Sequence, residues 1–170
     1  MSASTFDIVD FFSKAGIGVI TGAVAAVVTA KVALNRFYLE KWWEKKHASY
    51  NQLIDLLFEI KAIYDHASDY YEQVAESGRR LSPMPKGNVD WIQFYELKAK
   101  VHRFYVVAPI SLSPSTRVLL DQFFKTDAAT SQSVHEEGYP DFVAYHDMAN
   151  STKKLIDAIV IDAQAELKFK

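Results

Sequence analysis

The chain has no cysteine, which excludes disulfide staples, thiolate nucleophiles and metal sites built on sulfur. It also lacks an excess of charge of either sign. Nineteen Lys and Arg stand against twenty-one Asp and Glu, for a net charge of −2. A general nucleic-acid coat needs a strongly basic surface, so that class of partner is excluded. Glycine and proline are scarce and unevenly placed. Six Gly and five Pro occur in 170 residues, and none lies between Gly22 and Gly78. Nothing in that interval is built to break a helix, and no Gly-rich loop that could cradle a phosphate occurs anywhere. Aromatic residues, by contrast, are plentiful. Nine Tyr, eleven Phe and three Trp favour a packed core over a disordered tail.

One long run carries no charge. Residues 15–30, bounded by Lys14 and Lys31, are sixteen in number and cover roughly 24 Å as a helix, against about 30 Å of hydrocarbon. Val32, Ala33 and Leu34 extend the run on one side and Phe11 and Phe12 on the other, if Lys14 and Lys31 reach out to the two interfaces. Small residues are ordered within it. Gly18, Gly22, Ala26 and Ala30 fall four apart and therefore share one helix face. Such small-residue rows let helices approach closely in lipid. The expectation is a transmembrane helix that contacts copies of itself through Gly18, Gly22, Ala26 and Ala30. Lys31, Arg36, Phe37, Tyr38, Trp42 and Trp43 then lie at the membrane interface. Lys and Arg are concentrated just after the run, and the leader 1–13 holds Asp7 and Asp10 but neither Lys nor Arg. This asymmetry places the N-terminus outside and the rest in the cytoplasm of a bacterial inner membrane. Two alternatives stay open: a signal peptide cleaved after Val28-Thr29-Ala30, and a buried helix of a soluble protein.

A second pattern follows. Leu39, Trp43, Lys46, Tyr50, Leu53, Leu57, Ile60, Tyr64, Ala67, Tyr71 and Val74 are spaced 4,3,4,3 throughout, which is a heptad seam. Ile54, Phe58 and Ile63 widen the seam, and a wide stripe suits a helix inside a bundle. A single helix from Ala15 to Ser77 is about 95 Å long, so a break near Asn35 remains an alternative. The Gly- and Pro-containing stretch 78–87 reads as a loop. Asn88 or Asp90 caps a second helix whose apolar side carries Trp91, Phe94, Tyr95, Leu97, Val101 and Phe104. Residues 106–112 read as a buried connector in which Pro109 stops the helix. Ser113-Pro114 supplies a cap and first turn for a third helix ending near Thr126. Residues 127–139 read as a loop. Pro140-Asp141 opens a last helix with Phe142, Tyr145, Met148, Leu155, Ile156, Ile159, Val160 and Leu167 inward. The expected fold is all-α: residues 1–36 form a tail and transmembrane helix that continues into a cytoplasmic bundle of about four helices, residues 37–170.

Motifs that carry chemistry are absent. His135-Glu136-Glu137 lacks the second His that a zinc-protease helix needs, since position 139 is Tyr139. His135, His146, Asp141 and Asp147 have no regular ligand spacing. None of Arg36, Arg79, Arg80, Arg103 and Arg117 is followed by His at the spacing used by helical ribonucleases. His47 and His66 read as surface or bundle-edge residues. The chain is expected not to be an enzyme and to need no cofactor. One cationic cluster is notable: Arg79, Arg80, Lys98, Lys100 and Arg103, interleaved with Tyr95 and Tyr105. Cations beside stacking rings suit an anionic ligand such as a nucleotide second messenger. A solvated helix face or a loop facing anionic lipid gives the same pattern.

The segment Phe37-Tyr38-Leu39-Glu40-Lys41-Trp42-Trp43-Glu44-Lys45-Lys46, followed by Ala48 and Tyr50, resembles small bacterial single-pass membrane proteins with a juxtamembrane Lys-Trp-Trp-Glu signature. The likeness extends to 107–114 and 159–167. In architecture the chain is similar to membrane effectors of antiphage systems. These include the pore-forming accessory protein of type VI-B CRISPR loci and the cyclic-oligoadenylate-gated effectors of type III loci. The resemblance implies membrane disruption. The partners expected are the lipid bilayer, further copies of the chain through the small-residue row, and a defence-system protein or, through the basic cluster, a nucleotide second messenger. The divergent Arg-His ribonuclease-like motif of the type VI-B family is missing here, so no catalytic residue carries over. The expected function is a homo-oligomeric membrane effector or pore governed by a cytoplasmic helical domain. The alternative is a membrane-anchored scaffold or interaction module without a pore.

Overall fold

The computed structural model describes residues 8–80 and 88–167, with side chains described for 25–78, 88–108 and 110–167. Among the described residues there are four helices and no strand: α1 (Ile8–Arg80), α2 (Trp91–Ser111), α3 (Pro114–Glu136) and α4 (Asp141–Leu167). The chain divides into two compact units, Met1–Glu44 and Lys45–Lys170.

The larger unit is a four-helix bundle, and its core follows the seam of α1. Lys46, Tyr50, Leu53, Leu57, Ile60, Tyr64 and Ala67 are all buried, at the expected alternating spacing of three and four. Of these, Tyr50, Leu53, Leu57, Ile60 and Tyr64 share one core with Phe94, Leu97 and Val101 of α2, Leu120 and Phe123 of α3, and Met148, Leu155, Ile156, Ile159 and Ala163 of α4. Ile54 and Ile63 pack at the margin of this core. Phe58 does not widen the seam as expected, because it lies on the solvent side and is exposed. Tyr95 of α2 is likewise exposed, being one position off the buried row formed by Phe94, Leu97 and Val101.

The helix ends carry recognisable chemistry. Asp90 caps α2, its carboxylate accepting the Gln93 N–H at 2.9 Å. Ser113 caps α3, its Oγ accepting the Thr116 N–H at 3.0 Å, with Pro114 in the first turn. Each cap satisfies a backbone donor that the helix itself leaves unpaired. Gly138 takes φ +69, a backbone state open to Gly at little cost. There the chain reverses and Tyr139 N–H bonds the Ser133 carbonyl at 3.2 Å.

Three expectations need correction. α1 runs past Gly78 to Arg80, so the loop does not begin at Gly78; residues 81–87 lie outside the described residues. α2 continues through Pro109 to Ser111. Proline removes one N–H donor, and with only two helical residues beyond it the loss is confined to the last turn, which Leu112 N–H closes on the Ala108 carbonyl at 2.8 Å. Residues 106–112 are not a buried connector either, since Val106 and Ile110 are exposed while Ala108 and Leu112 are buried. Finally, α3 does not end near Thr126 but runs on to Glu136. The reason is a buried or half-buried row at Thr116, Leu120, Phe123, Asp127, Thr130 and Val134, which keeps helical spacing although half of its members are polar.

In the smaller unit, residues 25–44 are helical and every described side chain except the half-buried Trp43 is exposed. α1 passes through Asn35 without a break. Phe37 and Tyr38 pair edge-on at 6.2 Å, and Trp42 and Trp43 at 5.6 Å. Among the described residues no helix is long and apolar enough to cross a membrane. Residues 15–24 of the uncharged run, with Gly18 and Gly22, lie outside the described side chains.

Candidate functional site

The first candidate is the apolar surface of the smaller unit. Val27, Val28, Val32, Leu34, Phe37, Tyr38, Leu39 and Trp42 are all exposed, Val27 by 67% and Tyr38 by 62%. At 100° per residue these eight positions spread over well over half of the helix circumference. Ala26 and Ala30, expected at helix–helix contacts, are exposed among them, as are Lys31 and Arg36. Charged residues on this stretch pair along the helix. Arg36 Nε donates to Glu40 at 3.2 Å and Lys41 to Glu44 at 2.6 Å. The second pair holds Glu44 below the usual carboxylate range, first through the hydrogen bond from Lys41 and then through its charge. Contiguous exposed apolar surface of this kind marks a site of contact with a partner or a membrane. Nothing described in this unit covers it.

The second candidate lies in the bundle, where Asp127 of α3 is buried. Tyr64 Oη donates to its Oδ1 at 2.5 Å, and Lys98 Nζ pairs with its Oδ2. One carboxylate thus clamps α1, α2 and α3. Burial first, and then the Asp127 charge, push the Tyr64 phenol far above its ordinary range. The neighbouring Tyr145 is pushed up to about 12, mainly by burial. Around the clamp Trp91 and Tyr145 approach to 5.1 Å, Tyr64 and Phe94 to 5.1 Å, and Tyr71 and Tyr145 to 5.5 Å. They border a cleft of about 390 Å³ that also reaches Thr130, His135 and Asp141. The rings fill the space between each other, and Asp127 already has both a hydroxyl donor and an ammonium. The arrangement fixes helix register.

A second polar cluster does the same at the other end of the bundle. Asp162 of α4 accepts Tyr50 Oη at 3.1 Å, Thr116 Oγ1 at 2.5 Å and Ser113 Oγ. Tyr50 Oη in turn accepts the Ser113 N–H at 3.1 Å. Lys46, the single charged member of the α1 seam, is buried and pairs with Glu166. Among the described residues no buried side-chain polar atom is left without a partner, as a stable interior requires.

The structure divides the expected cationic cluster. Lys98 is committed to Asp127, whereas Lys100 and Arg103 line a groove between α1 and α2 together with Lys45. Arg79 and Arg80 lie outside the described side chains. Tyr95 borders the Asp127 cleft, and Tyr105 packs under Arg117, whose guanidinium carbon is 5.5 Å from the ring centroid. His135 is exposed and its Nδ1 lies 2.7 Å from the Ser131 carbonyl; His146 is exposed as well. Among the described residues no group of three His, Asp or Glu could hold a metal ion. Sequence reasoning passed over Asp127, Asp162 and Lys45. Asp127 stands in phase with Thr116, Leu120 and Phe123, and that phase was its one signal. No family model, curated protein or solved structure matches this chain.

Proposed function

We propose that the chain is a homo-oligomeric membrane effector of a bacterial inner membrane, acting in antiphage defence. Residues 15–34 lie in lipid, and a four-helix domain on the cytoplasmic side governs their association. The observation that carries this reading is the run of exposed apolar and aromatic side chains from Val27 to Trp42, continuous in sequence with the uncharged stretch 15–30. Burying such a surface in lipid removes its contact with water. The charge asymmetry across the stretch sets the orientation, and the row Gly18, Gly22, Ala26 and Ala30 offers a close helix–helix contact. The bundle contributes rigidity, through clamps at Asp127 and Asp162 that tie its helices together.

Vesicles loaded with dye test the proposal. The full-length protein is expected to float with them, to cross-link into a closed oligomer and to release the dye. Gly18→Leu and Gly22→Leu are expected to weaken cross-linking and release while leaving the helical content of the bundle unchanged. A protein that inserts and associates but releases no dye points to the second reading, an anchored interaction module. That reading draws on the exposed Ile92, Val118 and Ile161 of the bundle, which a protein partner could cover. A protein that does not float at all removes both.

A further inference from the structure

The groove between α1 and α2 has a composition unlike the rest of the bundle surface. Its volume is about 620 Å³. Leu56, Phe104, Val107 and Ile110 form an apolar floor, and Lys45, Lys100 and Arg103 are its charged lining residues. Among the described residues no carboxylate lines it. None of the three cations is ion-paired to a described residue, although the bundle pairs Lys46, Lys61, Lys98 and Lys125. On α2 the positions 100, 103, 107 and 110 are spaced 3,4,3, so one helix face grades from cationic to apolar over about 15 Å. Ile110 is left 78% exposed. An unpaired cation gains from an anion, and an uncovered isoleucine gains from a hydrocarbon partner. Both needs lie in one groove.

We infer that this groove binds an anionic phospholipid, its phosphate held by Lys100 and Arg103 and an acyl chain laid over Leu56, Phe104, Val107 and Ile110 toward Lys45. The helices α1 and α2 run antiparallel, with Tyr64 beside Phe94 and Tyr50 bonded to Ser113, so Lys45 lies at the end of the groove nearer Ile110. The inference rests on the membrane reading above. Charge complementarity selects an anionic headgroup. The apolar floor selects an occupant with a hydrocarbon body over a free phosphate. Lys45 also follows Trp42 and Trp43 by two or three residues in the chain, the residue types that settle at the headgroup layer. Basic pockets beside membrane helices recruit lipid headgroups in the same way. Ser49, Gln52 and Ser111 add polar groups to the lining suited to the phosphate and glycerol oxygens.

The absence of cysteine makes a direct test simple. Two single-cysteine variants of the full-length protein, Ile110→Cys and Leu34→Cys, are labelled with a small fluorophore. They are placed in phosphatidylcholine vesicles with and without phosphatidylglycerol, using nitroxide-labelled acyl chains as quencher. Quenching at Leu34 is expected in both compositions. Quenching at Ile110 is expected to rise when phosphatidylglycerol is present, and Lys100→Gln with Arg103→Gln is expected to weaken that dependence about tenfold in lipid concentration. Quenching at Leu34 with none at Ile110 overturns the groove assignment and leaves the anchor standing. No quenching at either position removes the anchor itself. Two competitors identify other occupants. Soluble glycerol phosphate or a mononucleotide that displaces the lipid at equal concentration assigns the groove to free anions, and an acidic peptide that does so assigns it to a protein segment. Either result overturns the lipid assignment.

Discussion

Two stretches of α1 are similarly rich in apolar and aromatic residues, yet they meet different surroundings. From Tyr50 to Ala67 the seam positions face the core and are almost wholly covered: Leu53, Leu57, Ile60 and Ala67 have no exposure at all, and Phe58 is the one large apolar residue left exposed. From Val27 to Trp42 eight large apolar residues stand uncovered. The contrast is one of pattern. In the bundle segment the apolar residues keep to a 4,3 stripe with charge between them, and one face satisfies them. In the earlier segment they occupy most of the circumference, and no single packed face could satisfy them. A helix of the first kind completes its folding against its own chain. One of the second kind needs an apolar environment over an arc of about 220°, wider than the stripe of a helix packed on one face.

The largest effect expected from this contrast is a difference in stability between two leucines. Leu57→Ala deletes a fully buried side chain and is expected to cost about 2–5 kcal/mol by the combined transfer and cavity terms. Leu34→Ala removes a side chain that is 56% exposed and is expected to change bundle unfolding by less than about 0.5 kcal/mol. Thermal and urea denaturation, followed by near-UV dichroism of the bundle aromatics, measure both. Equal losses at the two sites would show that the bundle relies on contacts from the earlier segment and would erase the contrast.

Next in size is the clamp at Asp127. Asp127→Ala leaves the Tyr64 hydroxyl and the Lys98 ammonium without their acceptor, an expected loss of about 2–4 kcal/mol. Lys98 is 31% exposed and reaches water, which favours the lower end. Adding Lys98→Met is expected to recover part of the loss, so the double change costs less than the sum. Alkali gives a second view. Tyr64 and Tyr145 both have phenols raised by burial. A raised tyrosine contributes stability that is complete below its unfolded value, about 10, and that is lost as pH climbs through the folded one. Melting temperatures are therefore expected to fall from about pH 10 upward, in Asp127→Ala as in the parent protein, because burial is the first cause of the Tyr64 shift. A melting temperature that stays level above about pH 10 would show that neither phenol is held protonated by the fold.

How much of this was legible in the sequence varies by element. The bundle part of α1 was legible because its apolar stripe is long and regular, and even its odd member, Lys46, occupies a seam position; its partner Glu166 lies 120 residues away and leaves no local trace. The caps at Asp90 and Ser113 were legible because capping depends on neighbours within three residues. The later half of α3 was not. Thr126, Asp127, Thr130, Ser131 and Ser133 have the composition of a loop, and only the burial of Asp127 by its two partners makes that polar row a packed face. The clamp was missed for the same reason, since no spacing rule links Tyr64, Lys98 and Asp127. The members of the expected cationic cluster are near in sequence, which is not the same as sharing a face. On a helix, Lys98 and Lys100 are about 200° apart, and the structure sends them to different sides.

Capping gives a smaller expected effect. Ser113→Ala removes both the acceptor for the Thr116 N–H and a donor to Asp162, for an expected loss of about 1–2 kcal/mol. Asp90→Ala removes only the acceptor for the Gln93 N–H and is expected to cost about 1 kcal/mol or less. Denaturation of the two variants side by side measures the difference. A larger loss at Asp90 would mean that the Asp162 cluster adds nothing to the bundle.

The smallest change in folding is expected where the contrast matters most for function. Phe58 and Phe37 are equally exposed, at 54% each, and Phe→Ser at either site is expected to leave bundle stability within about 0.5 kcal/mol. Their surroundings differ. Phe58 is a lone uncovered ring on a helix whose opposite face is packed, whereas Phe37 belongs to the uncovered series ending at Trp42 and pairs edge-on with Tyr38. Flotation with vesicles is therefore expected to respond to Phe37→Ser and not to Phe58→Ser, with a further loss when Trp42→Ser is added. Surface apolar residues scattered singly are ordinary, whereas contiguous patches mark a partner or a membrane. If the two phenylalanines behave alike in flotation, the segment from Val27 to Trp42 carries no membrane contact of its own, and lipid attachment rests on residues 15–24 alone.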